Sequence, residues 1–207
     1  PALAGRIVLL TSFPVAMSTW TQPLTWTMSK LDGITSASPL SSIHEMTSGG
    51  AAPDVSLVEM LIGWRAGCLG ETCAVALILG GIYLVVRKVI SPTIPLTYIG
   101  TVAVIMLIAG KGDFRFVAYE LLGGGLMLGA IFMATDYTTS PITFKGKIIF
   151  GIGCGLITSI IRIFGNLPEG VSYSIIIMNI LVPLIENVTL PKPFGTPKKE
   201  KKEAEAK

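Results

Sequence analysis

The chain has 207 residues, 51% of them hydrophobic and only 14% charged, and its mean hydropathy is +0.68. A soluble domain carries roughly 25% charged residues, so the composition excludes an ordinary soluble enzyme and indicates a membrane protein. The net charge of +3 makes no case for a nucleic-acid partner, because residues 191–207 hold six lysines and three glutamates and account for all of it; such a run reads as a solvated tail beyond a membrane domain at 1–190.

The chain opens inside apolar sequence, "PALAGRIVLL", without a basic n-region and cleavage site. A weak apolar stretch runs from Ile7 to Trp20, and a polar loop follows at 29–53. Within that loop "LDGITSASPL" places Asp32, Gly33, Thr35, Ser36, Ala37 and Ser38 ahead of Pro39. Read locally, this is a hydroxyl-rich turn able to cap the next segment. Residues 53–68, "PDVSLVEMLIGWRAGC", form a helix that lies on the surface or re-enters it. Uncharged runs then cover 72–86, 89–110, 121–135, 148–161 and 170–185.

Several of these runs are shorter than the roughly 20 residues that cross a hydrocarbon core at about 1.5 Å per residue. Either flanking charges enter the bilayer or the helices are short, and both options require a bundle that shelters them. The expected fold is all-α, a polytopic membrane helix bundle of about six spans plus the surface or re-entrant helix. With six spans, Arg6, Arg87, Lys88, Lys145, Lys147, Lys192 and the five tail lysines fall on one side, against Lys30, Arg65, Lys111, Arg115 and Arg162 on the other. The positive-inside rule puts the first group and the C-terminus in the cytoplasm and the 29–53 loop outside, in a multi-pass protein of the plasma membrane.

Gly123, Gly124, Gly125 and Gly129 in "LLGGGLMLGA", and Gly151, Gly153 and Gly155 in "FGIGCGLITS", allow helix backbones to approach closely. Neither string follows a strand, so neither reads as a phosphate-binding loop. Cys68, Cys73 and Cys154 form no CxxC pattern and read as small hydrophobes, with no disulfide or iron–sulfur ligand set. The single histidine, His44, lies in the polar loop and reads as a surface residue. Arg162 and Glu169 flank the turn "IFGNLPEG" and are expected to pair across it, with contact to a neighbouring subunit or a direct ligand role as the alternatives. Three acids border apolar runs: Glu71 before 72–86, Glu120 before 121–135, and Asp136 after it beside Thr135, Thr138, Thr139 and Ser140. Oxygen-rich surroundings suit a hard cation, which makes the three ion-path candidates, with Asp136 foremost; solvation of each at a helix end is the alternative.

Six segments in order, "PALAGR", "FPVAMSTW" (13–20), "DGITSASPL" (32–40), "GCLGET" (67–72), "MATDYTTSPIT" (133–143) and "IRIFGNLPEGVSYSIIIMN" (161–179), give the chain over residues 1–190 a resemblance. It resembles the D subunits of Rnf complexes, the ion-translocating ferredoxin:NAD oxidoreductases, related to the B subunits of sodium-translocating NADH:quinone reductases. The resemblance implies that N-terminal membrane helices of that fold precede "PALAGR". It also implies covalent FMN, esterified through its phosphate to an alcohol in the loop by a flavin transferase outside the cytoplasm. Asp32, Thr35, Ala37 and Ser38 match the family's loop pattern, with Pro39 following and Ser38 as acceptor. The family's usual acceptor is threonine; serine offers the same oxygen without the methyl that restricts χ1, and Thr35 is the alternative acceptor. Trp20 and Trp26 either shield the flavin ring or anchor the chain at the interface.

The resemblance further implies partners: other membrane, flavin and iron–sulfur subunits, and the surrounding lipid. A second, noncovalent flavin, riboflavin, is implied by the related quinone reductase but has no motif here. With no nicotinamide loop and no cysteine ligand set, the chain reads as a relay component of the oxidoreductase that is not catalytically complete alone. A stand-alone channel or transporter, or a purely structural membrane subunit, are the competing classes, and the flavin loop separates them.

Overall fold

The computed structural model describes residues 2–18, 20–21, 35–36, 43, 56–64, 67–68, 70–165 and 170–191. Their regular structure is helical apart from one short antiparallel bridge. In chain order the elements are α1 (Ala2–Ser12), α2 (Pro14–Ser18), strands β1 (Trp20–Thr21) and β2 (Thr35–Ser36), α3 (Leu57–Ile62), α4 (Ala74–Val86), α5 (Thr93–Ala109), α6 (Phe114–Leu122), α7 (Leu126–Met133, its last five residues wound as a π-helix), α8 (Phe144–Phe164) and α9 (Val171–Thr189).

Local chemistry sets the boundaries. Ser56 and Glu59 form a reciprocal capping box that starts α3, and Gly63 closes it in the left-handed region at φ 103°. At six residues, about 9 Å long, α3 is too short to cross a bilayer. The Asp113 side chain accepts from Arg115 N at the start of α6. The Thr143 hydroxyl accepts from Gly146 N at the start of α8.

The core forms where α5, α8 and α9 pack. Ile94, Tyr98, Val102 and Met106 are buried at four-residue spacing on α5, and Val171, Ile175, Met178 and Val182 follow a 3.6-residue period on α9. Phe150 and Cys154 of α8 lie between them in the same core. A Cβ on Gly151 would strike Thr97 Oγ1, and one on Gly155 would lie 2.6 Å from Thr101 Cβ and 3.0 Å from Tyr98 O, so these two glycines let α8 press its backbone onto α5. Gly153 makes the same allowance for Met178 of α9. The glycine reading of the sequence holds here as packing.

Large apolar side chains also cover the outside. Ile82 and Val86 on α4, Leu96, Val104 and Ile108 on α5, and Ile180, Leu184 and Val188 on α9 are all exposed. Meanwhile the hydroxyls of Tyr98, Thr158 and Ser174 meet in the fully buried centre, with Tyr98 Oη 2.6 Å from Thr158 Oγ1 and 3.0 Å from Ser174 Oγ. An apolar exterior around satisfied polar groups is the distribution a bilayer imposes.

Two helices, α8 and α9, are long and apolar enough to cross a membrane, and α6 with α7 makes a third if that bent pair is one span. The apolar helices α1, α4 and α5 are shorter, so among the described residues length and composition support two or three spans and not the expected six. Both ways of reconciling short uncharged runs with a bilayer occur together. α8 takes Lys145, Lys147 and Arg162 into its length, while the 121–135 run is broken. The orientation count sets Arg162 beyond a span end; it lies within α8 and is 2% exposed, so it leaves that count.

Candidate functional site at a broken helix

The glycine triplet 123–125 interrupts one helical path. Gly123 ends α6, Gly124 takes φ +62°, and α7 leaves at 67° to α6. Breaking a helix frees carbonyls at the end of the first half and amides at the start of the second, and neither has water to turn to inside a bundle. The sequence provides a charge for each end.

Arg162 of α8 serves the first half. Its guanidinium donates to Glu120 O at 2.6 Å, to Glu120 Oε2 at 2.8 Å and to Gly123 O at 3.2 Å. Both side chains are buried. The planar fork of arginine suits this, since one group meets two backbone carbonyls and a carboxylate at once. It also places positive charge at the negative end of the α6 dipole.

Glu71 serves the second half. Its carboxylate lies against Gly125, where a Cβ would sit 2.8 Å from Oε1, and it accepts from Arg6 of α1 at 2.6 Å. Negative charge therefore stands at the start of α7, the complementary arrangement. Two acid–arginine pairs thus flank the break, one on each side.

Of the three acids singled out in the sequence, Glu71 and Glu120 are the carboxylates of these pairs. Asp136 is different: it is exposed, just beyond the π-helical turn, and its carboxylate accepts from Thr138 at 2.9 Å and more weakly from Thr139 at 3.5 Å. It lines a half-open cleft of about 470 Å³ with Thr139, Asn179 and the apolar side chains of Leu3, Phe132 and Ile180. The structure does not bring Asp136 to the break. Arg162 pairs with Glu120, and Glu169, its expected partner across the turn, lies outside the described residues. The sequence held a usable signal for the pairing: Glu120 and Arg162 are opposite charges within apolar surroundings, where each demands a partner.

Asp32, Ala37, Ser38 and Pro39, with Trp26 and His44, lie outside the described residues, as do the side chains of Trp20 and Thr35. The backbone frame around the loop is described at two points. β1 pairs with β2 in the register Trp20↔Ser36 and Thr21↔Thr35, and Ile43 is fully buried as a member of the hydrophobic core. The three cysteines are free thiols, Cys154 buried and the other two half-buried.

Residues 1–195 match the model of the NQR2, RnfD, RnfE family. The D subunit of the Na+-translocating ferredoxin:NAD+ oxidoreductase complex of Acetobacterium woodii is 46% identical, over 100% of this chain and 61% of that protein. The D subunit of the proton-translocating ferredoxin:NAD+ oxidoreductase complex of Clostridium ljungdahlii is 42% identical, over 95% of this chain and 61% of its own length. The D subunit of the ion-translocating oxidoreductase complex of Stutzerimonas stutzeri is 36% identical, over 94% and 62%. The chain thus spans about three fifths of the length of these relatives. The apolar helices, the bent pair and the match over nearly the whole chain agree: this is a membrane protein, and it belongs to the NQR2, RnfD, RnfE family.

Proposed function

We propose that the chain is a membrane subunit of a redox-driven ion pump, carrying FMN as a phosphoester on Ser38 and relaying electrons between ferredoxin and NAD with translocation of Na+ or H+. The observation that carries this reading is the family match over residues 1–195 in a chain that holds Asp32, Thr35, Ala37 and Ser38 in the acceptor pattern. FMN, when bound, supplies the one-electron chemistry. The protein's part is to fix its phosphate end at Ser38, with Asp32, Ala37 and Pro39 shaping the loop and Trp20, bridged to Ser36 through the backbone, beside it. Thr35 is the alternative acceptor, and riboflavin would be held without a covalent bond.

The reading includes a six-span path in which α1, α4 and α5 cross as shorter helices, the 29–53 loop is extracytoplasmic and the 191–207 tail is cytoplasmic. The cavity shared by Lys88 and Lys147 supports it, because the positive-inside count assigns both to one side. The partners are the other membrane, flavin and iron–sulfur subunits of the complex, and a flavin transferase for maturation.

The ion step rests on Asp136 ahead of Glu71 and Glu120, whose carboxylates are held by arginines. A stand-alone transporter is the second reading, favoured by the bent α6–α7 pair, since discontinuous helices recur where membrane proteins handle ions. One set of assays on the assembled complex, made with the transferase, separates the two. Flavin fluorescence that stays with the denatured subunit, and is lost in Ser38→Ala together with electron flow, supports the relay. A dark subunit that still passes Na+ supports the transporter. Asp136→Asn is expected to lower ion uptake with the flavin retained; undiminished uptake removes Asp136 from the path.

A further inference from the structure

A second site lies at the other end of α4, apart from the break. Lys88 and Lys147 line a half-open cavity of about 400 Å³ together with the hydroxyl side chains of Ser91, Ser140 and Thr135, and among the described residues no carboxylate lines it. Tyr137 closes one side by donating to Val89 O.

Both lysines stand where local physics disfavours them. Lys88 follows the end of α4 at φ 57°, the left-handed position where helices ordinarily place glycine. Its amide bonds Val85 O at 2.9 Å, so the turn itself is well formed. Lys147 is half-buried in the first turn of α8, setting positive charge at the positive end of a long helix. Two breaches of local preference that converge on one cavity point to a ligand that rewards them, and that ligand is an anion.

The cavity has an apolar continuation. Val85, Ile90 and Pro92 line both it and a neighbouring groove of about 420 Å³ that runs between α4 and α5. The side chains of Ile82, Leu96, Ile99 and Ile131 line this groove, which offers no polar surface. From Ile78 to Val86 it follows α4 for about 12 Å. A free phosphate would fill only the first space. We propose that the two together hold an anionic phospholipid, its phosphodiester on Lys88, Lys147 and the hydroxyls and one acyl chain in the groove.

The test uses the assembled complex in detergent, delipidated and then exchanged against mixed micelles of phosphatidylglycerol and phosphatidylcholine, with retained lipid counted by mass spectrometry. The wild type is expected to retain phosphatidylglycerol selectively. Lys88→Gln and Lys147→Gln should each lower its retention about fivefold, and the double variant about twenty-fivefold if the effects add. Lys88→Gly guards against misfolding as a cause, because glycine fits the left-handed turn: it should keep or raise thermal stability while losing lipid about as much as Lys88→Gln does. Equal retention of phosphatidylcholine, unchanged retention in the double variant, or displacement of the lipid by inorganic phosphate, which would mark a free-anion site, would each overturn the proposal.

Discussion

Two regions bury polar atoms between helices by opposite means. At the break between α6 and α7, full charges do the work: Arg162 spans Glu120 and two backbone carbonyls, and Glu71 with Arg6 stands at the start of the second half. At the centre of α5, α8 and α9, neutral hydroxyls suffice. Thr158 and Ser174 donate to Cys154 O and Val171 O, both at 2.8 Å, and Tyr98 donates into the pair, its oxygen 2.6 Å from Thr158 Oγ1 and 3.0 Å from Ser174 Oγ. No helix is broken beside this centre, so it needs only to satisfy its own side chains. A broken helix releases carbonyls, and an arginine able to reach several at once replaces the missing turn.

The difference predicts unequal sensitivity. Arg162→Ala should be the most damaging change, since it strands the buried Glu120 carboxylate and the α6 carbonyls; a loss of about 3–5 kcal/mol is expected, read as a fall in the thermal midpoint of the assembled complex. Gly155→Leu asks whether the continuous side depends on close packing. With Thr101 and Tyr98 O already near any added Cβ, about 1–3 kcal/mol should be lost, again by thermal unfolding. Tyr98→Phe deletes one hydroxyl from a hub whose other members keep carbonyl partners, so about 0.6–1.7 kcal/mol is expected. If it proves as costly as Arg162→Ala, the contrast between ionic and neutral burial fails. Thr101→Ala, removing a bond made within α5 to Thr97 O, should be the smallest effect, below about 0.5 kcal/mol.

Much of the helical order was legible because uncharged runs and glycine strings respond directly to bilayer and packing constraints. The runs at 148–161 and 170–185 became α8 and α9, with ends extended by charges the helices could carry outward or bury. The break was harder to read. Gly123–Gly125 announced close approach, but a 67° bend follows from which backbone groups find partners across the bundle, and those partners lie about 40 to 50 residues away in sequence. For the same reason sequence proximity does not point to Glu120 as a partner of Arg162, because the two lie on different helices. The lysine cavity was invisible in sequence, because Lys88 and Lys147 meet only after α4 and α8 are placed. Ser38 is the reverse case. Its pattern is local and so readable, while the frame around it is seen in the Trp20↔Ser36 bridge and the buried Ile43.

The most direct measurement is peptide-mapping mass spectrometry of this subunit, taken from the complex made together with a flavin transferase. The account predicts an FMN phosphoester on the peptide containing Ser38, kept in Ser38→Thr and absent in Ser38→Ala. An unmodified peptide, or an adduct that persists in Ser38→Ala, would contradict it.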